Sequence, residues 1–263
     1  MNFEIILEAW PLFAKGVWIT LHLTVLALSL GFVIALPAAL SLHHKGRFHR
    51  VWGAYVYVFR GTPLLVQTYL IYYGLSQFDW VRSSFLWGAP GFLDGTWLGA
   101  VWPSLKSAWW CALIAFSLNS GAYQAEILRG GLAVVPEGEL EGAKSLGLNP
   151  SQVTRLVLLP SALRRALPQY GNEIVFMLHG SVVASVITIQ DILGAGRTLN
   201  ARHYVAYEGF LTSAALYMAI TFAVVWVFRL VERRYLRHLN IRTAKPKGAG
   251  APGIAGIGGV AWR

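Results

Sequence analysis

Charged side chains inside apolar stretches are the residues of this sequence that could do chemistry. Glu126 and Arg129 stand three positions apart near the end of one apolar stretch, and Glu173 stands near the start of another. Burying such groups at membrane depth is costly, so they usually pair with each other or line the path of a solute. The spacing of Glu126 and Arg129 places them on one face of a helix and favours a structural or gating ion pair. Glu173 either faces a translocation path or pairs with a basic loop residue.

Further polar or small residues are candidates for the wall of such a path. They are Asn172, His179, Gly180, Ser181 and Gln67. The alternative for His179 is a hydrogen-bonded histidine of the core, although Gly180 beside it provides room for a solute. The alternative for Gln67, as for Asn119, is a hydrogen bond between helices.

A proline interrupts the second apolar stretch and predicts a broken helix. Pro63 has no N–H to donate, so backbone carbonyl groups of the preceding turn lose their partners there. Such groups must find other donors inside a membrane. We expect Arg60 to supply them and assign Arg60, Thr62 and Pro63 a structural or gating role.

Motifs for enzymatic chemistry are absent from the sequence. It has no GxxxxGK phosphate loop and no HExxH zinc motif, and the paired His43 and His44 lie in a basic segment without nearby acids. Cys111 is the only cysteine, which excludes a disulfide framework and a cysteine-based metal site. We therefore predict no catalytic residue, no metal and no cofactor in this chain.

The composition is that of a membrane protein. Of 263 residues, 56% are hydrophobic and 13% are charged, and the mean hydropathy is +0.51. Soluble domains carry about 25% charged residues. The net charge of +10 could indicate nucleic-acid binding, but the lysines and arginines cluster in short segments between apolar stretches. That distribution favours a multi-pass membrane protein.

Stretches of about 20 apolar residues predict an all-α protein with about five transmembrane helices. The predicted spans cover residues 17–42, 51–75, 108–127, 174–193 and 204–231. Residues 1–16 are predicted to be a periplasmic or interfacial segment, residues 17–243 the membrane domain, and residues 244–263 a disordered cytoplasmic tail. Basic residues follow spans one, three and five, which places the C-terminus in the cytoplasm and the N-terminus and residues 76–107 outside.

One polar segment between spans three and four is predicted to be a cytoplasmic helix-turn-helix. It reads EGAKSLGLNPSQVTRLVLLPSALRRALPQY from Glu141 to Tyr170. Gly147 suits either a helix C-cap or a close approach of another backbone. Asn149 and Pro150 predict the start of a second helix, and Pro160 predicts its end.

This segment resembles the EAA coupling loop of ABC importer permeases. That motif is Glu-Ala-Ala, three residues, Gly, and then a Leu/Ile-Leu-Pro ending. The matching residues here are Glu141, Gly142, Ala143, Gly147, Leu159 and Pro160. Gly142 departs from the usual alanine, and glycine weakens a helix by up to about 1 kcal/mol.

Other motifs resemble the polar amino acid uptake branch of these permeases. They are FRGTPLLVQTYLIYYG from Phe59, LNSGAYQAEILRGG from Leu118, and LPQYGNEIVFMLHGSVVASVITIQDIL from Leu167. Together with the coupling loop they cover most of the chain, and they are most similar to the histidine, arginine, lysine and ornithine permeases. Many relatives have Lys-Asp-Thr-Ser where this chain has His179 to Val182. The missing acid at Gly180 leaves open whether this subunit or a sister permease holds a cationic substrate.

The resemblance implies the type I ABC importer permease fold, with a coupling loop at about residues 131–166. It implies an ATP-driven importer of polar, in particular basic, amino acids in the bacterial inner membrane. It further implies a separate ATPase dimer that carries ATP and Mg²⁺, a second permease subunit and a periplasmic binding protein. The docking loop is expected to contact the ATPase. The alternatives are a stand-alone secondary transporter or channel, for which no internal repeat is visible, or an importer of opines or other polar amino acids.

Overall fold

The computed structural model of this protein describes residues 3–88, 90, 96, 99 and 102–235, and every regular element in that part of the chain is helical. The helices are α1 Phe3–Glu8, α2 Trp10–His43, α3 His49–Gly61, α4 Leu64–Tyr69, α5 Asp79–Arg82, α6 Ala108–Ala133, α7 Glu137–Ser145, α8 Pro150–Gln152, α9 Leu159–Gly180, α10 Ile192–His203 and α11 Ala206–Tyr235. Wider π turns follow α4 (Leu70–Gly74) and α8 (Val153–Leu158), and 3₁₀ turns span Leu75–Gln77 and Ser181–Ile187. The predicted all-α fold class is confirmed. The predicted tail at residues 244–263 lies outside the described residues.

Within the described residues, three helical stretches are long and apolar enough to cross a membrane. They are Trp10–His43, Pro150–Ile187 and Ala206–Arg234; the first contains predicted span one, and the other two overlap most of predicted spans four and five. Predicted span three corresponds to α6, whose buried face carries polar side chains between its apolar ones. Predicted span two is divided between α3 and α4 at the Pro63 break.

The core is built around the contact between α2 and α6. Ala27 and Ala35 of α2 are fully buried, and Gly31 lies between them at four-residue spacing. A Cβ atom on Gly31 would lie 3.0 Å from the backbone nitrogen of Gly121 on α6, so only glycine permits this approach. Small residues at such spacing let membrane helices approach closely without a water-driven hydrophobic effect. Their contact provides the frame on which α3, α9 and α10 pack.

The first helix of the bundle begins earlier than the sequence suggested. α2 starts at Trp10, and Phe13 is fully buried against Ala195 and Leu199 of α10. The expected boundary at residue 16 therefore falls inside a continuous, packed helix.

The expected helix end at Pro160 is wrong. The backbone is helical without interruption from Pro150 to Gly180, and Pro160 lies in the first turn of α9, directly after the π turn Val153–Leu158. A π turn spaces its hydrogen bonds more widely, and a proline at a helix start needs no N–H. The helix that contains the fourth span therefore starts on the coupling segment itself, and α9 begins 15 residues before the predicted position 174.

Candidate functional site

The first half of the predicted coupling segment folds as a separate short helix, α7. Glu137 and Glu139 lie in its first turn and Lys144 in its last turn. Acids near a helix N-terminus and a base near its C-terminus both interact favourably with the helix dipole. This charge pattern explains why a stretch that contains two glycines, Gly138 and Gly142, is still helical.

Gly147 ends α7 in a left-handed conformation, with φ of +80°. The N–H of Leu148 donates to the carbonyl of Ala143 at 3.3 Å, and the N–H of Gly147 donates to that of Lys144 at 2.9 Å. These two bonds form a Schellman cap, which favours glycine at this position. The C-cap alternative for Gly147 is therefore the one observed. Apart from its two sequence neighbours, no described residue has an atom within 4 Å of a Cβ built on Gly147, so this position is open among the described residues.

The second half of the segment starts where the sequence predicted. The side chain of Asn149 accepts a hydrogen bond from the backbone of Gln152 at 2.9 Å, and the Gln152 side chain accepts one from the backbone of Asn149 at 2.9 Å. This reciprocal capping box, followed by Pro150, fixes the start of the second helical stretch.

The residues predicted to dock the ATPase differ in their exposure. Glu141, Gly142 and Gly147 are exposed, Leu159 and Pro160 are half-buried, and Ala143 is buried at 5% exposure. Two apolar side chains that our sequence analysis missed also lie on this segment: Leu146 is 84% exposed and Leu156 is 59% exposed. We add these two leucines to the candidates for docking the ATPase.

The Pro63 break is stabilised by Gln67 and Asn119, not by Arg60 as we expected. The Gln67 amide donates to the carbonyl oxygens of Phe59 and Thr62 at 2.8 and 3.0 Å. The Asn119 amide, on α6, donates to the Phe59 carbonyl at 3.2 Å and to the Gln67 side-chain oxygen at 3.0 Å. Gln67 is therefore a buried structural residue, which is the interhelical alternative and not a path position.

Arg60 instead contacts the predicted Glu126–Arg129 ion pair. Glu126 accepts hydrogen bonds from Arg129, and Arg60 approaches the same carboxylate at 4.0 Å. The Arg60 guanidinium also lies 5.4 Å from the ring centre of Tyr123, as in a cation–π contact. Arg60, Glu126 and Arg129 line an open groove of about 510 Å³ between α3 and α6. Two arginines thus share one carboxylate and connect the two helices.

Glu173 adopts neither of the arrangements that we considered. It is 5% exposed and accepts a hydrogen bond from Ser120 at 2.8 Å. The Gln124 amide donates to Ser120 at 2.9 Å and to the Leu28 carbonyl at 3.0 Å. The resulting polar chain crosses α9, α6 and α2 in the interior of the bundle. Buried hydrogen-bonded networks of this kind fix how helices pack.

The other path candidates on or next to α9 divide into exposed and buried residues. Asn172, Phe176 and His179 are exposed and occupy one helical face, and His179 contacts the Thr221 hydroxyl of α11 at 3.0 Å. Ser181 is fully buried, and its hydroxyl donates to the Leu178 carbonyl at 2.7 Å.

Gly180 is also turned towards the bundle, since a Cβ there would lie 3.1 Å from Leu64. Only Asn172 and His179 of the α9 candidates are therefore exposed, together with Phe176. We name these three residues the open α9 face.

Comparison with known proteins agrees with this architecture. The model of the family "Binding-protein-dependent transport system inner membrane component" matches residues 27–237. The octopine transport system permease protein OccM of Rhizobium radiobacter is 40% identical over 224 residues, which are 83% of each chain. The arginine ABC transporter permease protein ArtM of Haemophilus influenzae is 35% identical over 90% of this chain and 98% of its own. The histidine/lysine/arginine/ornithine permease HisM of Escherichia coli K12 is 35% identical over 86% of this chain and 89% of its own.

Solved structures of transporters have the same fold. An amino acid ABC transporter crystallised with histidines matches with a TM-score of 0.73 and 32% identity over 89% of this chain and 99% of that one. The MetNI methionine ABC transporter matches with a TM-score of 0.65 at 20% identity over 85% and 96% of the two chains, which shows the fold alone. This chain therefore belongs to the family of inner membrane components of binding-protein-dependent transport systems.

Proposed function

We propose that this chain is a permease subunit of an ATP-driven amino acid importer whose ATPase is a separate polypeptide. The observation that carries the proposal is α7, an exposed, individually capped helix on the segment that resembles the coupling loop. A helix that is mostly exposed on its own chain is suited to insertion into a partner. The sequence has no GxxxxGK loop to bind ATP, so ATP and Mg²⁺ are assigned to that partner.

The assembly that we propose contains two permease subunits, two ATPase subunits and a periplasmic binding protein. The second permease is either an identical copy or a paralogue. The complex lies in the bacterial inner membrane, with the N-terminus of this chain periplasmic and its C-terminus cytoplasmic. The basic connection between α2 and α3, with Lys45 and Arg47, and Arg50 in the first turn of α3 support this orientation because they lie at the same predicted side as α7.

The continuous helix from the coupling segment into α9 suggests how docking drives transport. ATP binding closes the ATPase dimer and moves α7, and α9 moves with it because both belong to one segment. The open α9 face, Asn172, Phe176 and His179, then changes its access from one side of the membrane to the other. Such a switch requires that ATP bind one of the two states more tightly than the other.

The cargo that we propose is a basic amino acid: arginine, ornithine, histidine or lysine. The names of the relatives ArtM and HisM support this class. Opines are a second candidate because OccM and the nopaline permease NocM are similarly related to this chain.

The test is uptake of radiolabelled arginine by cells that lack their own basic amino acid importers and express the complete gene cluster. We expect uptake that requires the ATPase and that unlabelled ornithine, lysine or histidine inhibits. Inhibition by octopine or nopaline alone would assign the cargo to opines. Uptake that persists without the ATPase would contradict the ATP-driven importer and favour a secondary transporter or channel.

A further inference from the structure

The coupling helix α7 has little apolar contact with the rest of its own chain. Ala143 is its buried residue, and Leu140 is half-buried against the core between α2, α3, α6 and α9. Burial of one alanine contributes little free energy, because the hydrophobic term scales with the apolar area that is removed from water. A helix that transmits force needs a firmer connection to the membrane helices than this packing provides.

Glu139 makes that connection through two hydrogen bonds to α9. One carboxylate oxygen accepts from the Ser161 hydroxyl at 2.7 Å, and the other accepts from the Arg165 guanidinium at 2.9 Å. The Arg165 Nε also lies 3.4 Å from the Ser161 hydroxyl, which closes the group into a triangle. We name Glu139, Ser161 and Arg165 the α7–α9 clamp. Charge-assisted bonds that use both oxygens of a carboxylate fix orientation as well as distance.

The clamp lies on α9 beside its tightest contact with α6. Ala162 and Ala166, the neighbours of the two clamp residues in the sequence, are buried against Gly131. A Cβ on Gly131 would lie 2.7 Å from the Ala162 carbonyl oxygen, so the two helices touch through their backbones there. The first turns of α9 are thus held by α6 on one side and by α7 on the other.

The same α9 helix carries the open face with Asn172 and His179. We propose that the α7–α9 clamp is the positioning element that transmits movement of the docked α7 helix to α9 and so couples ATP hydrolysis to substrate movement. This inference rests on the proposed function. The covalent connection between α7 and α9 otherwise runs only through the turn after α7, the short helix α8 and the π turn Val153–Leu158. The clamp bypasses them by joining α7 directly to the first turns of α9.

The clamp contributes little to folding stability. Its contribution to coupling is measured as the amount of substrate transported per ATP hydrolysed. Glu139 keeps 39% of its side chain exposed and Arg165 keeps 18%, so solvent screens the pair. Loss of the clamp should therefore leave a folded, assembled complex that hydrolyses ATP without moving its cargo efficiently.

The experiment uses the complete complex with its binding protein in proteoliposomes and measures substrate transported per ATP hydrolysed. Glu139→Gln and Arg165→Gln remove one charge each, and the double variant Glu139→Arg with Arg165→Glu exchanges them. The matched controls are Glu137→Gln on α7 and Arg164→Gln on α9, since both residues are exposed and neither has an ion pair among the described residues. Copurification of the ATPase with each variant is measured in parallel.

We expect each single clamp variant to lower the transport-to-ATP ratio by about fivefold, at the low end of measured couplings between distant sites. The controls should keep the native ratio, and the exchanged pair should recover at least half of it. Single variants with the native ratio would overturn the clamp, as would impaired single variants that the exchange fails to rescue. A loss of transport that only follows loss of bound ATPase would also overturn it, because Glu139 would then anchor the partner and not transmit movement. A native complex that neither hydrolyses ATP nor transports would instead refute the proposed function.

Discussion

Substitutions of Gly147 distinguish two roles of this residue. In one role it caps the coupling helix α7, and in the other it lies on the surface that docks the ATPase. Gly147 has φ of +80°, and its Cβ position is open within the chain. An alanine there costs about 1 kcal/mol of backbone strain, or about fivefold in the equilibrium between a capped and a frayed helix end. Asparagine and aspartate tolerate the left-handed region better than alanine, although they are larger. The two roles therefore predict opposite orders of uptake among the alanine, asparagine and aspartate variants of Gly147.

The docking role predicts that arginine uptake falls with the size and charge of the side chain. We expect Gly147→Ala to retain a substantial fraction of native uptake, Gly147→Asn to retain less, and Gly147→Asp to abolish uptake while the protein stays in the membrane. Strain alone would make alanine the worst of the three. The assay is initial-rate uptake in the complete system, normalised to the amount of each variant in the membrane.

Gly46→Asp is the matched control for an added negative charge at the same predicted side of the membrane. Gly46 lies in the turn between α2 and α3, where a Cβ would meet nothing closer than 3.6 Å. This variant should transport normally. Normal uptake by Gly147→Asp at native protein level would refute the docking role of Gly147, because a charged side chain at this position would then leave the contact with the ATPase intact.

Four further substitutions or truncations test individual parts of the structure. Gly142→Ala should leave uptake unchanged and stabilise α7 by up to about 1 kcal/mol, since the added methyl group meets open space; a clear loss of uptake would place a partner closer than we infer. Gly131→Ala should lower both uptake and the melting temperature in detergent, because its Cβ would lie 2.7 Å from an α9 carbonyl oxygen, whereas Gly130→Ala should change neither. Gln67→Leu should destabilise the bundle by about 1–3 kcal/mol through unpaired carbonyl groups at the Pro63 break; an unchanged melting temperature would contradict that role. Truncation after Lys247 should leave membrane insertion and uptake intact, as quantified by membrane blotting and transport.

Local sequence rules predicted the features of this fold that depend on neighbouring residues. The Gly147 cap and the Asn149 capping box involve backbone groups within five residues of each other, so residue type and spacing suffice to predict them. The ion pair of Glu126 and Arg129 is similarly local. The predicted stop at Pro160 failed because the π turn before it, a departure from regular helix geometry, accommodates the proline.

Features that depend on contacts between distant segments could not be read from the sequence. Ser120 lies 53 positions from Glu173, and Asn119 lies 52 positions from Gln67, so only the folded bundle reveals that these polar groups satisfy one another. The clamp partners Glu139 and Arg165 are 26 positions apart. For the same reason, a list of polar residues in apolar spans cannot distinguish a solute path from a buried network.

The most direct test of the central claim is a cross-link between α7 and the ATPase. Cys111 is buried and is the only cysteine of the chain, so Cys111→Ser provides a background for a single introduced thiol. Gly142→Cys places that thiol on the open face of α7, and Trp80→Cys, at a side chain that is 65% exposed on the predicted outer side, is the control. We predict that a maleimide that carries a photoactivatable group joins the ATPase to the Gly142→Cys variant and not to the Trp80→Cys variant. Equal reaction of both positions, or no cross-link from α7 in a complex that transports, would contradict the docking of the ATPase on this helix.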